Sequence, residues 1–206
     1  MPKPAVLADN ETAWTEQYLA APIPERKSRE RWRHAEIKAV LRQELGGRCA
    51  YCEGFVDDVS FPHVEHIAPK SIFPERAHIW INLTSACGRC NTLKGDYWNV
   101  DLSILDPYAD DVGGALVFLG GFVDWRSSSA KGEVSVRRLQ LNRIDLVQSR
   151  VRRLESIRGL VNEWEKAQGA KREILEDAIR LDMAEGEFAA TVAGYLEQRG
   201  FAVGQV

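Results

Sequence analysis

The sequence predicts an α+β fold in which a mostly α-helical domain surrounds a segment of short strands and turns and carries a small β-hairpin or meander. Three observations lead there. Apolar residues recur at helical spacing before residue 48 and after residue 139, two cysteine pairs bound a turn-rich stretch between 49 and 90, and β-formers alternate with glycines between 96 and 136. With 206 residues, 45% hydrophobic and 28% charged, the chain has the composition of an ordinary globular protein.

The first 27 residues hold Pro2, Pro4, Pro22 and Pro24 and read as an arm with a short helix at about 10 to 20, followed by a turn. From Ser28, which looks like a helix cap, Trp32, Ile37, Val40, Leu41 and Leu45 keep helical spacing until Gly46 and Gly47 stop it. Phe61, His63, Glu65 and Ile67 alternate as a strand that Pro69 ends, and a helix is expected from about Ala86. Further on, LVFL at 116 to 119, FVDW at 122 to 125 and EVSVRR at 133 to 138 read as strands separated by Gly120-Gly121 and the serines at 127 to 129. Leu146, Val147, Val151, Leu154, Ile157, Leu160, Val161 and Trp164 then form one helical stripe, and two shorter helices are expected at about 170 to 183 and 185 to 199. The resulting division is an N-terminal arm and helix at 1 to 48, a core at 49 to 100, and a β-hairpin region with a C-terminal helical extension at 101 to 206, forming one compact unit with the core.

No stretch approaches the roughly 20 uninterrupted apolar residues that a membrane-spanning helix needs. The start lacks a basic region followed by an apolar run, so a cytoplasmic protein without membrane contact is expected. In a reducing compartment Cys49-x-x-Cys52 and Cys87-x-x-Cys90 are metal ligands rather than disulfides. Two pairs of thiolates fit one tetrahedral Zn²⁺ and leave no position for a reacting water, which makes this zinc structural. It clamps the ends of the segment between them.

That segment contains Glu65 beside His66, and Asn91 follows the last cysteine. Histidine is the side chain whose ordinary pKa suits deprotonation of water near neutral pH, and carboxylate and amide oxygens suit Mg²⁺ or Mn²⁺. The adjacent Glu65 and His66 point to opposite faces of a regular strand, unless the strand ends there, as Pro69 allows. The formal charge of −3 is unusual for a nucleic-acid enzyme, yet residues 26 to 48 and 137 to 158 are basic, and acidic side chains gather between Glu173 and Glu187.

Cys49, Cys52, Glu65-His66, Pro69, Asn82-Leu83, Cys87, Cys90-Asn91 and Lys94-Gly95 occur in an order and spacing that resembles the HNH endonuclease family. The resemblance implies a ββα-metal core with His66 as general base, Asn82 orienting its ring or bracing the loop, and Glu65 with Asn91 on the catalytic metal. Asn91 departs from a literal final histidine but keeps an oxygen ligand. Lys94 is then either a phosphate contact or an exposed helix lysine, and His63, two residues before Glu65 on the same face, either supports the metal ligands or is structural. The phrases CAYCE, VEHIAPKS, Trp80-x-Asn82-Leu83, CNxxKG, LDP and LQLNR, over residues 49 to 153, resemble the HNH nuclease subunit of retron and Septu-type anti-phage systems. This resemblance implies a partner P-loop ATPase; the sequence has no GxxxxGK[ST] of its own, so any ATP dependence must come from another protein, and DNA is the expected substrate with RNA or tRNA as the alternative. The competing reading from another class is a non-catalytic zinc-ribbon module that binds nucleic acid or protein, for which the Glu65, His66 and Asn91 set would have no use.

Overall fold

The computed structural model describes residues 3 to 56 and 62 to 204, so Pro2 and Phe61 of the expected arm and strand lie outside the described residues. Packing divides the chain into two units, one comprising Met1–Tyr51 with Phe55–Asp106 and the other Cys52–Gly54 with Pro107–Val206.

In the first unit the expected arm is a helix, α1 (Ala5–Ala20). Leu7, Trp14 and Tyr18 recur at 7 and 11 residues, so they share one face, and that face packs into the core with Trp32, Ile37, Leu41, Trp80 and Leu83. Burial of Leu7 and Tyr18, rather than a visible stripe, holds the segment. The expected cap at Ser28 is also corrected. Its hydroxyl donates to the Glu25 carbonyl within a 3₁₀ turn, and the true helix α2 (Ala35–Glu44) starts later, where Nδ1 of His34 accepts the Glu36 N–H at 3.3 Å. Gly46 and Gly47 end it at φ +56° and +76°, a left-handed turn that suits residues without Cβ.

Strands β1 (His63–His66) and β2 (Leu83–Ala86) pair antiparallel, His63 with Ala86 and His66 with Leu83, and helix α3 (Gly88–Lys94) follows. The strand-then-helix expectation and its ββα order are thus met. β2 is buried along its whole length, whereas β1 is exposed at His63 and buried at Glu65 and His66.

The second unit begins with a short helix, α4 (Val112–Ala115), and a hairpin of β3 (Leu116–Leu119) and β4 (Phe122–Trp125) turned by Gly120-Gly121. The third expected strand is instead a helix, α5 (Ala130–Arg138). Its two valines favour strands, but the Ser129 hydroxyl accepts the Gly132 N–H at 3.0 Å, and Gly132, Ser135 and Val136 fall on one buried helical face. Helices α6 (Ile144–Lys166), α7 (Gly169–Glu185) and α8 (Ala189–Gln198) pack through Ile157, Val161, Trp164, Ile179, Val192 and Leu196. Within the expected α6 stripe Val151 faces outward, and Arg150 is buried instead, donating to the Leu141 carbonyl at 2.7 Å. Glu53 belongs to this unit through α8: its carboxylate accepts the Ala190 N–H at 3.0 Å. Among the described residues no helix is long and apolar enough to cross a membrane.

Candidate functional site

Cys49, Cys52, Cys87 and Cys90 are all buried, with every sulfur within 4.8 Å of the others. Four thiolates at about 2.3 Å from one zinc would lie about 3.8 Å apart, so the cluster fits a tetrahedral ion with little adjustment. Local structure explains the approach. Ala50 donates its N–H to the Ser85 carbonyl at 2.9 Å, which ties the first pair to β2. Cys87 caps α3, its sulfur accepting the Cys90 N–H at 3.4 Å, where the positive end of the helix favours thiolates. Among the described residues no other group of three or more His, Cys, Asp or Glu side chains could hold one ion.

Glu65 and His66 occupy the end of β1, and because the strand stops there both line one cavity of about 410 Å³, together with Asn91 from α3. His66 is almost wholly buried. Its Nε2 lies 2.9 Å from the Ala77 carbonyl, and the edge of its ring meets Trp32 at 4.9 Å and 87°. A carbonyl only accepts, so Nε2 carries the ring proton and Nδ1 keeps its lone pair. Burial pushes the pKa of His66 down to about 3, the Ala77 carbonyl opposing it and the Lys70 and Lys94 charges adding to it. The imidazole is therefore neutral at physiological pH.

Glu65 is held by Lys94, whose ammonium lies 2.6 Å from Oε1 and donates to the His66 carbonyl at 2.8 Å. Both side chains are buried, and burial raises the Glu65 pKa while Lys94 lowers it. Lys94 is thus neither an exposed helix lysine nor free for a phosphate. It is the counterion that fixes the end of β1. One carboxylate and the Asn91 amide oxygen form a donor set acceptable to Mg²⁺, which keeps several waters and takes further ligands from substrate phosphate.

Asn82 braces the loop between the strands. Its Oδ1 accepts the Ala68 N–H at 2.7 Å, and its Nδ2 donates to the carbonyls of Ala68 and Arg76, each at 3.1 Å. Of the two roles the sequence left open, these bonds match the brace, and the His66 ring is oriented by Ala77 instead. His63 is exposed at the far end of β1 and does not line the cavity.

Three contributors escaped the sequence reading. Tyr18 and Lys70 line the cavity, and Trp32 supports both the His66 ring and the Lys70 ammonium, which sits 5.5 Å from the indole centroid. Lys70 adjoins Pro69 in a quoted phrase and was within reach of pattern reading, whereas Tyr18 and Trp32 reach the site only through tertiary packing. His78 is fully buried among Trp14, Tyr18 and Trp32.

Residues 49–97 match the HNH endonuclease family, so this segment is an HNH-family domain. A Septu protein PtuB from Bacillus thuringiensis is 28% identical over 143 residues, covering 69% of this chain and 52% of that protein. A second, from Bacillus mycoides (strain KBAB4), is 26% identical over 154 residues, covering 60% of this chain and 52% of the relative. The chain spans about half the length of the curated relatives it matches.

Proposed function

We propose that the chain is a metal-dependent endonuclease that hydrolyses phosphodiester bonds in DNA and serves as the nuclease of an anti-phage defence system acting with a partner P-loop ATPase. The observation that carries the chemical part is the His66 ring, neutral and with its proton committed to Ala77, in the same cavity as Glu65 and Asn91. Nδ1 takes the proton of the attacking water. A phosphate entering the cavity brings negative charge, which favours the protonated ring and opposes the Lys70 and Lys94 charges that lower its pKa. A divalent cation on Glu65 and Asn91 would supply charge stabilisation to the phosphate and the leaving oxygen. Lys94 keeps Glu65 ionised and placed, Asn82 keeps the loop closed, and the four cysteines hold a structural zinc that fixes the segment's ends.

The defence role and the ATPase rest on the resemblance of residues 49 to 153 to the Septu-type nuclease subunit and on the two PtuB relatives. The test is conversion of supercoiled plasmid by the zinc-loaded protein in Mg²⁺ or Mn²⁺, alone and with a co-purified ATPase, beside a structured RNA. Metal-dependent nicking of DNA, abolished by EDTA, is expected. Cleavage of RNA alone would move the substrate to RNA, and binding without cleavage of either under every condition would favour the zinc-ribbon binding module.

A further inference from the structure

We infer that Lys70, with Tyr18 beside it, forms the phosphate-binding side of this cavity, a role that the sequence pattern had offered to Lys94. The inference rests on the proposed nuclease reading for the identity of its ligand, a phosphodiester oxyanion, but not for the existence of the site.

The two lysines of the cavity differ in what occupies their charge. Lys94 is buried against Glu65. Lys70 is half-buried, and among the described residues it makes no hydrogen bond or ion pair; the Trp32 ring lies against it. Glu65 and Asp96 line the same cavity, but among the described residues neither forms an ion pair with Lys70 and Glu65 is committed to Lys94, so an anion beside the half-buried ammonium is favoured. Because Trp32 touches both the Lys70 ammonium and the His66 ring, one side chain sets the cation and the base in a fixed relation. An oxyanion on Lys70 is therefore presented to the water that His66 activates.

Tyr18 adds a neutral donor. Its phenol belongs to α1, outside the HNH-matched residues, and burial raises its pKa, so it keeps its proton and can donate to a phosphate oxygen. The Ser71 hydroxyl lines the same cavity. A point cation with two hydroxyl donors suits a single phosphate rather than a flat bidentate group.

The test uses the zinc-loaded wild type, Lys70→Gln and Lys70→Arg. In a first experiment inorganic phosphate is titrated and the backbone amide resonances of Lys70 and Ser71 are followed by NMR, with the zinc content measured for each variant. Saturable shifts in the wild type and Lys70→Arg, lost in Lys70→Gln, support the subsite whether or not DNA is cut. Equal shifts in Lys70→Gln, or none in the wild type, overturn it. In a second, duplex cleavage by Lys70→Gln is expected to show KM raised about tenfold, a smaller change in kcat and a salt dependence of KM shallower by about one counterion, with Lys70→Arg restored. An unchanged KM and salt slope in Lys70→Gln would overturn the proposal while leaving the nuclease reading standing. Phosphate binding at Lys70 without DNA cleavage would do the reverse.

Discussion

Two four-residue antiparallel hairpins carry opposite surfaces. The sheet of β1 and β2 buries Glu65, His66, Thr84 and Ser85, while the sheet of β3 and β4 leaves Leu119 52% and Phe122 56% exposed. Their connections differ in the same sense. β3 and β4 are joined by Gly120-Gly121 alone, so the turn itself sets their register. β1 and β2 are joined by residues 67 to 82, and their pairing is held from outside, by Asn82 across the loop, Lys94 on the end of β1 and Ala50 on Ser85. Buried polar groups are costly unless every one is partnered. A sheet that buries them is an assembled site, and one that exposes two apolar side chains is only a hairpin.

The largest break in this contrast is expected from the cysteines. Zinc contributes about 10 kcal/mol or more to the folding of small zinc-binding peptides. Cys87→Ser should lose the zinc, and hydrogen exchange should then show β2 amides unprotected while those of β3 and β4 persist. Equal loss in both hairpins would show that zinc does not act selectively on the first. Next comes Lys94→Met, which leaves the Glu65 carboxylate buried alone and should cost about 3–5 kcal/mol in urea denaturation. Adding Glu65→Gln should recover much of that loss, and failure to do so would mean that Lys94 acts mainly through the His66 carbonyl.

Acid sharpens the comparison at a smaller scale. His78 is buried and its pKa is pushed from 6.5 to about 4, chiefly by desolvation. The unfolded chain therefore binds a proton that the folded one refuses. The stability held above pH 6.5 is lost as pH falls toward about 4, by at most about 3 kcal/mol from this group. His66 is lowered in the same direction. In His78→Phe the slope of stability against pH across this window should shrink, as read from thermal melts at matched zinc content; an unchanged slope would assign the acid sensitivity elsewhere. Smallest of all, Leu119→Ser should change stability by less than about 0.5 kcal/mol, since the side chain is already half in water. A loss several times larger would mean that this hairpin is covered in solution.

What the sequence revealed follows the range of the interactions involved. The cysteine pairs and the neighbours Glu65 and His66 were legible because their chemistry lies in residue type and short spacing. The β3–β4 turn was legible for the same reason. EVSVRR was misread because the strand propensity of its valines is weaker than a Ser129 cap and a face that fits the core. Lys94 was misread because burial against a residue 29 positions earlier has no local mark. The same holds for Trp32 beside His66 and for α1, where Ala5, Ala8, Ala13, Leu19 and Ala20 put apolar residues opposite the stripe of Leu7, Trp14 and Tyr18 and mask it. Asn82 was placed in the right loop, and only its hydrogen bonds separated bracing from orienting.

The measurement that bears most directly on the account is plasmid cleavage in Mg²⁺ or Mn²⁺ by the wild type and His66→Ala, each carrying about one zinc by elemental analysis. The account predicts metal-dependent nicking by the wild type and its loss in His66→Ala with zinc retained. Equal nicking by both would contradict it.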